Sequence, residues 1–140
     1  MLFNACVLPV FTYGSQTWAL TKQSKDKLAV AQRDMERSMM NVRLSDHISN
    51  ERIRRKTKVK DVVYAAQELK WNWAGHICRY PPERLPITIE KWIPRNAKRR
   101  CGRPKTRWED DIKEHASCFW RRKALNREKW QELGISFIQK

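Results

Sequence analysis

The sequence predicts an all-α protein: a small bundle of about five helices, interrupted by an irregular, proline-containing basic linker. Three observations predict it. Apolar residues recur at spacings of three and four along most of the chain, side chains suited to helix caps precede these runs, and strand signals are weak throughout, the best lying at 85–89. At 140 residues with seven tryptophans, the chain is about the size of one domain and has the material for one modest core. The expected organisation is a helical region over 1–80, the linker over 81–107 and a carboxy-terminal helical segment over 108–140.

The pattern justifies each element in turn. Ser24 is a suitable N-cap with Asp26 in the first turn, and Leu28, Ala31, Met35, Met39 and Val42 make one apolar stripe, so an amphipathic helix is expected to end near 41–43. Ser49 caps a short helix through Lys56. After a turn at Thr57 and Lys58, a longer helix covers about 59–79, with a stripe of Val59, Val62, Val63, Ala66, Leu69, Trp73 and Ile77. Tyr64, Trp71 and Cys78 form a second stripe beside it, leaving Asp61, Glu68, Asn72, His76 and Arg79 on a narrow polar arc. A helix with so little polar circumference is expected to be packed on two sides. Pro81, Pro82 and Pro86 end it and open an irregular stretch. Another helix begins near Thr106, and a last one covers roughly 120–133, closed by Gly134 as its C′ residue.

Charge narrows the choice of partner. The net charge of +15 points to a polyanion, and its placement is uneven. Residues 1–20 carry no charged side chain, residues 21–90 carry fifteen basic and nine acidic, and residues 108–140 balance seven basic against six acidic. Between them, residues 91–107 hold eight basic side chains (Lys91, Arg95, Lys98, Arg99, Arg100, Arg103, Lys105 and Arg107) and no acid. Pro94, Gly102 and Pro104 forbid a continuous membrane-surface helix there, so nucleic acid, RNA or DNA, is the expected partner, with neither a membrane nor a small-molecule substrate. Arg100 to Lys105 contain the Gly-Arg-Pro core of a minor-groove hook, with Cys101 where such a hook has arginine; a solvated linker or a nuclear-import run fits the same residues. A second cluster (Arg52, Arg54, Arg55, Lys56, Lys58 and Lys60) sits where the short helix turns into the long one, as a helical hairpin in preference to a helix-turn-helix.

The acidic run Trp108-Glu109-Asp110-Asp111 superficially mimics the paired aspartates of a polymerase palm, but PKTR and IKEHA flank it where apolar strands are needed. Thr106 with Glu109 reads instead as a capping box, with the aspartates at the positive end of a helix dipole. The alternative is a small metal-dependent nuclease built from Glu109, Asp110, Asp111 and His115. Zinc has donors in His76, Cys78, Cys101, His115 and Cys118, but only His115 with Cys118 and His76 with Cys78 approach ligand spacing, so no metal or cofactor is expected. Scattered cysteines and the lack of a charged flank before the apolar start lead to the expectation of an intracellular, nuclear protein with free thiols and no spanning helix. Trp18, Trp73 and Trp130 are assigned to the core; Trp92 and Trp108 flank the basic run, where they either stack on unpaired bases or anchor packing.

Ordered motifs carry a family resemblance. Val7-Leu8-Pro9, Tyr13 to Trp18 (YGSQTW), Arg52 to Arg55 (RIRR) with Val59 to Val62 (VKDV), Trp73 to His76 (WAGH), Trp92-Ile93-Pro94, Arg99 to Ile112 and Arg127 to Trp130 (REKW) resemble, over nearly the whole chain, the carboxy-terminal end of RTE-type non-LTR retrotransposon endonuclease-reverse transcriptases. The resemblance implies a piece, a helical thumb with the carboxy-terminal region behind it, without the palm aspartates or the endonuclease residues, so no enzymatic activity is expected of this chain. It also implies a partner, the fingers and palm of the parent polymerase. The family places a basic residue at 101 and glycine at 58, where this chain has Cys101 and Lys58; at a tight turn of positive φ the lysine costs about 1 kcal/mol. The function expected is a non-catalytic grip on template or target nucleic acid through Arg95, Lys98, Arg99, Arg100, Arg103, Lys105 and Arg107, assisted by Arg52, Arg54, Arg55 and Lys56. A decayed remnant without independent activity is the other reading, supported by a helix whose second apolar stripe has lost its cover.

Overall fold

A computed structural model of the chain describes residues 2–81, 83–85, 89, 102 and 106–139. The all-α expectation holds: the described residues form seven α-helices and no strand. They are α1 (Leu8–Phe11), α2 (Lys22–Met39), α3 (Asn50–Thr57), α4 (Val62–Arg79), α5 (Asp110–Ala116), α6 (Trp120–Leu125) and α7 (Arg127–Ile138), with a π-helical turn at Phe3–Val7 and 3₁₀ turns at Ser15–Thr17 and Leu44–Asp46. There are two more helices than expected because α1 is not among those the pattern predicts and the carboxy-terminal segment is cut into three short helices instead of two. The weak strand signal at 85–89 falls largely outside the described residues. No helix among the described residues is long and apolar enough to cross a membrane.

Helix α4 organises the molecule. Its first half packs Val62 and Ala65 on Phe3 and Leu8, with Leu28 and Met35 of α2 alongside. Its second half packs Trp71 and Ala74 on Ile112 and Ala116 of α5, Trp120 and Ala124 of α6, and Trp130 and Phe137 of α7. Packing on two sides is thus borne out, although the residues that do it differ from the expected stripes. Trp71 is buried and Leu69 is exposed. Trp18 and Trp73 are only half-buried, whereas Trp71, Trp120 and Trp130 fill the core.

The start of α4 shows how buried polar residues serve the fold. A helix begins with backbone N–H groups that have no helical partner. Here Val62 N–H donates to Gln32 Oε1 at 2.7 Å, and Val63 and Tyr64 N–H donate to Asp61 Oδ1 at 2.8 and 3.4 Å. The Gln32 amide also donates to the Lys60 carbonyl at 3.0 Å, so one buried side chain of α2 satisfies both strands of the entry turn. One helical turn on, Thr57 donates to the buried carboxylate of Glu36 at 3.2 Å and ties α3 to the same helix. Helix α2 is therefore amphipathic with a polar centre to its buried face, which the apolar stripe did not reveal.

Two caps and one glycine differ from expectation. Helix α2 starts earlier: Thr21 is its N-cap, accepting from Ser24 N–H at 3.2 Å, and Ser24 lies inside the first turn. The box of Thr106 with Glu109 does not form; Asp110 instead reaches back to accept from Arg107 N–H at 2.6 Å, and α5 begins three residues after Arg107. Gly134 does not end a helix but lies within α7, where a Cβ would meet the Trp71 indole at 2.8 Å. Gly75 of α4 has the mirrored task, its missing Cβ making room for the Trp130 indole 2.6 Å away. The two indoles stack at 3.9 Å between centroids, and each Nε1–H donates to the other residue's carbonyl, at 2.8 and 3.1 Å. Stacking adds about 0.5–1.5 kcal/mol to the burial of such a pair. The clasp locks α7 onto α4.

Candidate nucleic-acid interface

Helix α3 presents its charges because of where its apolar residues point. Ile53 and Thr57, four apart, are buried against α2, which leaves Arg52, Arg55 and Lys56 on the opposite, exposed face. Ser49 caps the helix as expected, accepting from Arg52 N–H at 3.4 Å, and Arg37 of α2 clamps its start by donating to Ile48 O and Asn50 Oδ1. Cations in the last turn also suit the negative end of the helix dipole, so this cluster has a structural use of its own. Helices α3 and α4 each pack on α2.

The members of the cluster have different freedom. Arg54 donates to Asp61 at 2.8 Å, the same carboxylate that caps α4, and Lys60 pairs with Glu68. Arg54 is therefore a fastening between α3 and α4 more than an open charge. Arg52, Arg55, Lys56 and Lys58 have no carboxylate partner among the described residues and all are exposed. Lys58 closes α3 in the left-handed region, with φ +49° and its N–H on Arg54 O at 2.9 Å, which is the conformation that favours glycine.

Of the basic linker, Arg95, Lys98, Arg99, Arg100, Arg103 and Lys105 lie outside the described residues, as do Trp92 and Cys101. Arg107 is described and exposed. Its position is fixed by its neighbour: Trp108 Nε1–H donates to Gln16 O at 2.7 Å, its ring meets Trp120 edge-on at 6.5 Å, and the Lys70 ammonium lies 5.5 Å from its centroid. Trp108 anchors packing. The carboxy-terminal end of the basic run is thereby pinned beside the Ser15–Thr17 turn.

Glu109 and Asp111 of the acidic run are taken up by ion pairs. Asp111 accepts from Lys70 at 2.7 Å, a lysine wholly buried in α4; burial pushes that ammonium below the usual lysine range, against the bond and charge of Asp111. Burial alone would raise the Glu109 pKa, but hydrogen bonds and charge from Lys113 and Arg121 outweigh it and hold the carboxyl below the usual range. His115 sits with its Nε2 against Leu133 O and Ser136 Oγ, edge-on to Trp71. Glu109, Asp111 and His115 thus hold α5 to α6, α4 and α7 respectively, while Asp110 caps the start of α5 on Arg107 N–H. Among the described residues no three His, Cys, Asp or Glu side chains converge on a point that could hold a metal ion. Nothing local in the sequence pairs Lys70 with Asp111, or Trp71 with Gly134; these contacts depend on tertiary folding.

No family model matches the chain, and no solved structure matches it. Over 116 residues, 80% of this chain, it is 31% identical to a Caenorhabditis elegans protein described as an uncharacterized transposon-derived protein. The match covers 42% of that relative, so the chain spans less than half the length of the protein it resembles. The similarity points to a transposon origin for this chain.

Proposed function

We propose that the chain is a non-catalytic, nucleic-acid-binding part of a retroelement protein, of the kind found behind the palm of a non-LTR reverse transcriptase. One observation carries this reading: the sequence holds eight basic side chains and no acid in residues 91–107, and Arg52, Arg55, Lys56 and Lys58 are exposed with no carboxylate partner among the described residues. Such charge binds phosphates by releasing counterions, without reading sequence. The parent polymerase's fingers and palm are the proposed protein partner, and a nuclear location suits template or target binding. The test is binding of RNA and DNA oligonucleotides over a range of salt concentrations. Changing Arg99, Arg100 and Arg103 together to Ala should weaken binding to all sequences alike, lowering the log–log salt slope by roughly 0.7–0.9 for each lost phosphate contact. An unchanged slope removes the segment from the interface.

A second reading, an inactive remnant, is favoured by Leu2, Val10 and Tyr13, each more than three-quarters exposed on an uncharged amino-terminal surface. Aggregation and dye binding without a cooperative unfolding transition would support it. A soluble monomer that unfolds cooperatively argues against it.

A further inference from the structure

Six tryptophans lie among the described residues, and five are partnered. Trp71 and Trp130 stack on each other, Trp108 and Trp120 meet edge-on, and Trp73 meets Tyr80 edge-on. Trp18 has no ring contact, and its indole N–H has no hydrogen bond, among the described residues. It is half-buried at the exit of the Ser15–Thr17 turn, with extended backbone at φ −77° and ψ 138°. There it forms one wall of a shallow groove of about 450 Å³, lined also by Ala19, Leu20, Ser24, Lys27 and Leu28. A half-buried aromatic residue with no second aromatic ring against it among the described residues is a stacking platform in waiting.

The surroundings decide what would stack. Lys27 supplies the groove with a positive charge, and among the described residues no acid lines it. Lys22, Lys25 and Asp26 share the first turns of α2 with Lys27, a stretch of net positive charge. The basic run ends alongside, because Trp108 is bonded to Gln16, two residues before Trp18, and carries Arg107 next to it. An apolar slot with an aromatic wall and a lysine in its lining matches a nucleotide, whose flat base needs a π-face and whose phosphate needs a cation. We infer that the Trp18 groove is a base-stacking site for one unpaired nucleotide of a single strand, with Lys27 in its lining and Arg107 close by to meet the backbone. This rests on the nucleic-acid-binding reading and adds a preference for unpaired bases over phosphate alone.

The test compares an oligothymidylate with an abasic strand of the same length and charge, bound to the whole chain at fixed salt. The unaltered protein should bind the base-bearing strand roughly tenfold more tightly. Trp18→Ala should reduce that ratio to about one while leaving abasic binding unchanged, and Trp18→Phe should keep most of it. A merely structural effect would weaken both strands together. In the unaltered protein, the Trp18 indole N–H resonance should shift on adding oligothymidylate but not the abasic strand, a readout that requires no variant. Equal binding of the two strands, a ratio that survives Trp18→Ala, or an indole resonance that stays put overturns the stacking site alone. Failure of both strands to bind overturns the underlying reading, and the stacking site with it.

Discussion

Lys58 shows what one residue costs. At φ +49° a side chain with a Cβ is strained by about 1–2 kcal/mol, and glycine is free of that strain. Lys58→Gly should therefore raise stability by about 1 kcal/mol in urea unfolding, and no gain would show that the turn relaxes by another route. The glycines opposite the two stacked indoles predict the reverse. Alanine is the better helix former by roughly 0.5–1 kcal/mol, but a Cβ 2.8 Å from the Trp71 ring forces overpacking of about 1–3 kcal/mol. Gly134→Ala should thus lower stability despite its propensity, whereas Lys58→Gly raises it against propensity.

Elements are where the sequence is most and least informative. The helices over 22–39, 50–57 and 62–79 follow from apolar spacing and capping residues, and the α3 boundaries are close to those expected from Ser49 and the turn at Lys58. What spacing cannot show is which helix needs which polar group. Gln32 lies outside the apolar stripe of Leu28, Ala31 and Met35, yet it is buried and completes the first turn of α4. Gln32→Leu leaves the Val62 N–H and Lys60 carbonyl without it, and should cost about 1–3 kcal/mol for each buried group left unpaired. Similarly, Trp71 and Trp130 could not be paired from a sequence in which they stand fifty-nine residues apart. The Thr106–Glu109 pattern failed as a box because Glu109 is drawn away by Lys113 and Arg121. That pairing gives a pH dependence: a carboxyl whose folded pKa is lowered stabilises the fold above its unfolded pKa of about 4.3, and this stability is lost as pH falls through the folded value. Glu109→Gln should therefore flatten the acid limb of the stability profile; an unaltered limb would mean that other carboxylates set it.

Over the whole molecule, one long helix joins two packed clusters, and charge is distributed around that frame. The α3 cations face outward because Ile53 and Thr57 face inward, and Trp108 fixes where the basic run ends. The similarity to a transposon-derived relative supports a transposon origin and goes no finer, while the grip itself is an electrostatic proposal with an electrostatic test. The most direct test is the salt dependence of oligonucleotide binding by four proteins: the natural chain, Arg99, Arg100 and Arg103 changed to Ala, Arg52, Arg55 and Lys56 changed to Ala, and all six changed. Two patches that share one strand predict a slope that falls in each triple variant and falls further in the sixfold variant, with affinity lost for every sequence alike. A sixfold variant that keeps the natural slope and affinity would contradict the account.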